Sequence, residues 1–303
     1  MDSIAAVKEA LRRSEISFLE NEPMAAHTTF HIGGPAALFL RPESEDEMVC
    51  ALRVLRRFEI PTTVIGRGSN LLVADEGYSG AILTTEGVAD VAFSENIVTV
   101  SCGASVTALA AAARDRALSG MEFLYGIPGS VAGAVYMNAG AYGGQVSDIL
   151  TESRFYDCAT DSVGTVCGAA HDFSYRHSIY HNYPDRIILS ATFALRSGDA
   201  AEIRATMDDL MLRRKTKQPL EYPSAGSVFK RPEGYFAGQL IEECGLKGRS
   251  VGGAQVSEKH AGFIVNRGGA TAADVLRLID IIKEEVFRTF GVVLKCELIY
   301  LAS

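Results

Sequence analysis

Six of the chain's 29 glycines fall between residues 126 and 144. They lie in Gly126-Ile127-Pro128-Gly129-Ser130-Val131-Ala132-Gly133 and in Asn138-Ala139-Gly140-Ala141-Tyr142-Gly143-Gly144. Glycine scattered among apolar residues lets backbone approach closely and take positive φ, so this segment either bends sharply on itself or lies flat against something bound. A second run, Gly66-Arg67-Gly68-Ser69-Asn70-Leu71, sits between two strand signals, Pro61–Ile65 and Asn70–Val73. It lacks the GK[ST] ending of a Walker loop, and Leu71 stands where a dinucleotide fingerprint needs its third glycine. It is therefore a plain strand-joining turn or a phosphate cradle made of backbone amides, and the common mononucleotide and dinucleotide folds are set aside.

Around these runs, helix and strand signals alternate. Residues 1–25 read as a helical lead-in with Val7, Leu11 and Phe18 on an irregular apolar face. Ser44 and Glu47 have capping-box spacing, which predicts a helix to about Phe58 and a β–α–β–β start. Asn96–Ser101 is β-rich, and Ser105 can cap an alanine-rich helix ending near Gly120. Arg186–Arg196 is the clearest strand, with Ile187, Leu189, Ala191, Phe193 and Leu195 on one face by period two. Ser197-Gly198-Asp199 breaks it, Asp199 and Glu202 can cap a new helix, and a domain boundary is expected near residue 200. Lys217–Lys230, with Pro219 and Pro223, reads as an ordered loop. Thr271 opens a last helix whose stripe is Val275, Ile279, Ile282, Val286 and Phe290; Gly291 ends it, and Val292–Leu301 is expected to be a terminal strand.

Composition bounds the function classes. The 303 residues are 48% hydrophobic and 22% charged, enough apolar surface to offset chain entropy and room for roughly two or three small domains. No apolar run reaches the roughly 18 to 20 residues that span a bilayer, so no membrane partner is expected. Met1-Asp2-Ser3-Ile4 carries an acid where a secretory signal is basic, which points to the cytoplasm. With 29 basic against 37 acidic residues and no basic block, the net charge of −8 argues against nucleic acid while leaving small anions open. The six cysteines form no CxxC pair, and Cys167 and His171 are only loosely spaced as ligands, so no metal site is expected and reduced thiols suit a cytosolic chain.

Three places can carry chemistry. Arg176, in Tyr175-Arg176-His177-Ser178, either clamps a carboxylate with its planar fork or is a solvated surface arginine. Ser227, in Ser224-Ala225-Gly226-Ser227-Val228-Phe229-Lys230, either caps a turn or donates a proton to a carbanion. Period two puts Lys295, Glu297 and Ile299 on one face of the expected terminal strand and Cys296, Leu298 and Tyr300 on the other. Glu297 there needs either a partner, such as Lys295, or a task. His31, His171, His177 and His260 show no order that singles one out.

In this order, the segments resemble the UDP-N-acetylenolpyruvoylglucosamine reductase family. The match lies in His27-Thr28-Thr29-Phe30-His31-Ile32-Gly33-Gly34, Ile65–Leu72, Gly126–Gly143, Tyr175-Arg176, Ala225–Lys230 and Gly253-Ala254-Gln255-Val256. The resemblance implies an α+β chain. An FAD-binding region of the vanillyl-alcohol-oxidase (PCMH) type would span 1–198, in subdomains of about 1–85 and 86–198. An α+β substrate-binding domain, 199–303, would follow, its terminal strand at about 292–301 returning Glu297 to the active site. It implies that Gly66, Arg67, Gly68, Ser69, Asn70 and Leu71 hold FAD, lined also by Gly129, Ser130, Gly133 and Asn138.

The same resemblance implies that hydride passes from NADPH through FAD to the enolpyruvyl group of the nucleotide sugar, giving UDP-N-acetylmuramate for peptidoglycan. Ser227 takes the proton-donor position, Arg176 and Glu297 the other two catalytic positions, and Tyr175, Lys217, Lys230 and His260 the substrate contacts. His260 stands where a longer-form member has glutamine and Arg231 where asparagine is often found; the short stretch from Tyr142 to Tyr175 marks the compact form. Two alternatives stay open: an FAD oxidoreductase of the same fold with another small substrate, and a catalytically silent nucleotide-sugar-binding protein. Oligomeric state is not read from the sequence.

Overall fold

The computed structural model describes residues 3–303 and divides into two compact units. The first runs to Leu19 and takes in Leu38–Arg67 and Gly80–Arg213; the second comprises Glu20–Ala37, Gly68–Ser79 and Arg214–Ser303.

The first unit is built around an antiparallel five-stranded sheet in the order Ser162–Cys167, Leu150–Asp157, Arg186–Ala194, Ile97–Ser101, Val91–Ser94. Arg186–Ala194 is central, as its alternation predicts, but the alternation breaks once. Arg154 pairs with Ser190 while its neighbour Phe155 pairs with Ile188, leaving Leu189 as the extra residue of a bulge. Ile188 therefore joins Ala191, Phe193 and Leu195 in a core with the helix Val106–Arg114. Leu189 joins a second core with Leu38, Leu52, Leu55 and Tyr156, so the five odd-numbered residues do not share one face.

Local chemistry sets most helix starts. Ser44 Oγ accepts from the Glu47 amide at 3.1 Å, but Glu47 reaches back to the Glu43 amide at 2.8 Å, one residue before the expected partner. The helix Glu45–Arg57 follows, with acids in its first turn and arginines in its last, both favoured by the helix dipole. Ser105 caps the next helix, which stops at Arg114 rather than near Gly120. Ala117 takes a left-handed φ of 54°, its carbonyl accepts from Gly198, and Leu118-Ser119 pairs with Arg196-Ser197 instead. The lead-in likewise divides: Ser3–Arg13 is helical and buries Val7 and Leu11, whereas Phe18 opens the strand Phe18–Pro23.

In the second unit, the helices Ala237–Glu243 and Ala272–Phe290 and the hairpin Ala254–Val256 with Ile264–Asn266 enclose one core. Thr271 and Asp274 form a reciprocal capping box, Val275, Ile279, Ile282 and Val286 are buried, and Gly291 ends the helix at φ 68°. Phe30, Ile32 and Leu72 also belong to this core, and Asp75 accepts from the Ala272 and Ala273 amides at 2.7 and 3.0 Å. That is why two early segments fall in this unit and why no cut near residue 200 separates the two. The helix Ala200–Lys217 runs through that region unbroken, and the division falls at Arg213. Of the expected strand Val292–Leu301, only Ile299–Leu301 forms a ladder, parallel to Leu71–Val73; Cys296 adds one isolated bridge to Phe229. No described helix is long and apolar enough to cross a membrane.

Candidate functional site

The two glycine-rich runs meet in the first unit. A Cβ on Gly66 would stand 2.1 Å from Ser130 Oγ, so only glycine fits beside that hydroxyl. Ser130 is buried at 1% exposure and accepts from the Gly133 amide at 3.3 Å, capping the short helix Val131–Tyr136, while the Gly129 carbonyl accepts from Val106. Arg67 pairs with Glu86 at 3.5 Å. Thr85 lies at the root of the same loop, its amide donating to the Ile65 carbonyl at 2.9 Å. Its Oγ1 is buried and has no hydrogen-bond partner among the described residues. The sequence carries no signal for it, because an interior threonine reads as an ordinary strand residue.

The rest of the loop belongs to the second unit. Gly68 has φ 59°, its missing Cβ would lie 2.1 Å from the His27 carbonyl, and its own carbonyl accepts from Thr29. Ser69 follows half-buried, the Asn70 side chain donates to the Glu297 carbonyl at 3.0 Å, and Leu71 pairs with Ile299.

Arg176 occupies the tip of a tight turn in the first unit. Ser174 and His177 exchange backbone hydrogen bonds of 3.2 Å, and Arg176 between them has φ 56°, a left-handed conformation costing roughly 1 kcal/mol or more for a residue with a Cβ. Its guanidinium donates to the Gly140 carbonyl at 3.4 Å and lies 5.5 Å from the ring of the exposed Tyr175. Asn138 is buried with φ 41°; its side-chain amide donates to the Ser174 carbonyl at 3.1 Å and accepts from the Ser147 amide at 3.0 Å. Its polar atoms thus hold the arginine turn.

In the second unit, Gly226 turns at φ 75° and Ser227 forms an isolated bridge with Phe263. The Val228 carbonyl accepts from the Glu297 amide at 2.8 Å, and the Lys230 amide donates to the Lys295 carbonyl at 2.9 Å. Residues 227–230 and 295–298 therefore run side by side and bring Ser227, Lys230 and Glu297 into one neighbourhood. Among the described residues, Ser227 Oγ makes a long hydrogen bond, 3.4 Å, to the Phe229 carbonyl. His260 Nδ1 accepts from the Gly262 amide at 3.1 Å, its ring meets Phe263 edge-on at 5.0 Å, and burial lowers its pKa. Lys217 is exposed at the last turn of its helix.

Residues 36–166 match the FAD binding domain family, so the glycine cradle and the α+β architecture define a flavin-binding protein of the PCMH type. Residues 218–301 match the family described as UDP-N-acetylenolpyruvoylglucosamine reductase, C-terminal domain. A protein of that name from Pediococcus pentosaceus is 47% identical over 283 residues, covering 93% of this chain and 94% of the relative. One from Agathobacter rectalis is 48% identical, covering 93% of each. The crystal structure of the Thermus caldophilus UDP-N-acetylenolpyruvylglucosamine reductase superposes with a TM-score of 0.80 at 34% identity, over 95% of this chain and 99% of that one. The chain belongs to the UDP-N-acetylenolpyruvoylglucosamine reductase family.

FAD fits the residues present. The Thr85 hydroxyl, buried and without a hydrogen-bond partner among the described residues, is what a close-lying, hydrogen-bonding cofactor would satisfy.

Proposed function

We propose that this chain catalyses the NADPH-dependent reduction of UDP-N-acetylenolpyruvoylglucosamine to UDP-N-acetylmuramate through FAD, a cytoplasmic step of bacterial peptidoglycan precursor synthesis. The observation that carries the reading is the pairing of residues 227–230 with 295–298. It sets Ser227 and Glu297, from distant parts of the sequence, on neighbouring backbone rungs, within a chain of this family.

When bound, FAD supplies two-electron hydride chemistry between NADPH and the enolpyruvyl methylene carbon. Gly66, Arg67, Gly68, Ser69, Asn70 and Leu71 would hold it, with Gly129, Ser130, Gly133 and Asn138, the last of which also fixes the Arg176 turn. The FAD-binding role falls to the first unit together with the glycine loop, and substrate contacts come from Tyr175 and Arg176 of the first unit and from Lys217, Ser227, Lys230, His260 and Glu297 of the second.

Hydride arriving at the methylene carbon leaves negative charge spread over the adjoining carbon and the carboxylate. Ser227 Oγ donates the proton to that carbon. Its present hydrogen bond lies beyond the usual O–H···O distance, so redirecting the hydroxyl costs little. Arg176 binds the carboxylate through its fork and stabilises the charge as it develops. Glu297 assists either protonated or bonded through Arg176 or water, because a bare carboxylate would oppose an anion. Lys217 and Lys230 meet the diphosphate as point charges, and Tyr175 and His260 line the sugar nucleotide.

Anaerobic absorption spectra of the holoprotein test this. NADPH should bleach the flavin and the enolpyruvyl nucleotide sugar should restore it. Bleaching without recovery would discard the substrate while keeping a flavoenzyme, and a protein that takes up no FAD would be a nucleotide-sugar-binding protein.

A further inference from the structure

The most heavily buried polar cluster of the first unit takes no part in the proposed chemistry. Ser153, on the strand Leu150–Asp157, is 1% exposed, His171 is 0% exposed and Tyr180 is 1% exposed. Ser153 Oγ lies 2.8 Å from His171 Nε2 and 2.6 Å from the Tyr180 hydroxyl. His171 Nδ1 lies 2.9 Å from the Gly168 carbonyl. We propose that these three side chains form a staple that positions Arg176, an inference that rests on Arg176 being the carboxylate clamp.

The proton order follows from the acceptors. A carbonyl only accepts, so His171 Nδ1 carries the ring proton and Nε2 of the neutral imidazole must accept. The Ser153 hydroxyl therefore donates to His171, and its lone pair takes the Tyr180 proton. Each proton is used once, and the chain runs one way from Tyr180 through Ser153 and His171 to Gly168. Burial keeps both titratable members neutral, lowering the His171 pKa and pushing Tyr180 up to about 12. Phe173 stacks on His171 at 5.0 Å and Phe155 meets Tyr180 edge-on at 6.2 Å, which fixes both rings in orientation.

His171 and Tyr180 bracket the segment whose middle is the left-handed Arg176. Both ends of the segment are thus tied to one oxygen on one strand of the sheet. Two further bonds hold it between these ends: Asn138 to the Ser174 carbonyl, and Ser178 Oγ to the Tyr136 carbonyl at 2.7 Å. An apolar trio of the same shape would fill the space without the desolvation cost. What the hydroxyl adds is direction, and a strained arginine at a turn tip needs its two stems held at a fixed spacing and angle.

The test uses FAD-loaded protein with Ser153→Ala, and with the near-isosteric Tyr180→Phe should the first variant fold poorly. Hydrogen exchange at the Ser174–His177 amides should accelerate about tenfold or more, the equivalent of one lost buried hydrogen bond. Turnover should fall by a similar factor, with flavin reduction by NADPH and the flavin spectrum unchanged. In an Arg176→Ala background the same substitution should cost no further kcat, and Ser153→Thr, which keeps the hydroxyl, should recover most of the wild-type kcat. Unchanged exchange, or an equal loss of kcat in both backgrounds, overturns the proposal. Faster exchange beside an Arg176→Ala enzyme of full activity would uphold the staple and reject the clamp.

Discussion

The side-chain amide of Asn70 donates to the backbone carbonyl of Glu297 at 3.0 Å, so the last turn of the glycine loop fixes the height of the acid. The Asn70 carbonyl accepts from Ile299 at 3.0 Å, and Leu71–Val73 then pairs in parallel with Ile299–Leu301. One asparagine thereby grips the chain on both sides of Leu298.

Asn70→Ala should therefore lower stability by about 1 kcal/mol, the typical net worth of a protein hydrogen bond. It should also slow reoxidation of the reduced flavin by the enolpyruvyl substrate more than its reduction by NADPH. Stopped-flow traces of the two half-reactions separate the effects, and a variant slowed equally in both would show that Asn70 acts on the cofactor alone.

Ser227→Ala should retain FAD and its reduction by NADPH while the second half-reaction falls by roughly a hundredfold or more, the usual contribution of a positioned general acid. A reoxidation rate within a factor of a few of wild type would remove Ser227 from the proton path.

Gly66→Ala places a methyl 2.1 Å from Ser130 Oγ, a buried atom that also caps a helix. The expected result is a folded protein with sharply reduced flavin content, read as flavin absorbance per protein after dialysis. Full flavin content would mean that the loop has slack the packing does not show.

Acid should destabilise the fold through two imidazoles. Burial is the first cause of a lowered pKa at both His171 and His260, so each folded-state value lies below the unfolded value of about 6.5. Below that pH the unfolded chain takes up protons that the native protein refuses. Their contribution is complete above about 6.5 and is lost as pH falls toward the folded values. Urea midpoints measured from neutral pH downward should decline over this range, and His171→Gln should flatten the decline; an identical slope in the variant would exclude His171 as a source.

What was legible in the sequence was whatever local chemistry decides. Thr271, the apolar stripe and Gly291 define the last helix because cap, face and stop lie within the helix or beside it. The bulge at Leu189 was not legible, since its cause is the register of a neighbouring strand. Nor was the brevity of the terminal strand, because residues 292–298 alternate like a strand yet have only an isolated bridge at Cys296. Around the candidate site, single motifs left Ser227, Arg176 and Glu297 each with an ordinary reading, and only their joint order pointed to one family. Thr85 and Ser153 escaped notice for a shared reason: a buried hydroxyl is told from a packed one only by its partners.

The core that contains Phe30, Ile32 and Leu72 is completed by Val286, Leu294 and Leu298. On a ribosome those first three apolar residues emerge long before the helix and tail that cover them, so the second unit cannot close until residues 286–298 have been made. Nascent chains stalled before the last helix should expose these residues and bind holdase chaperones. A chain cut within that helix should fail to complete this core even when most of its residues have been made.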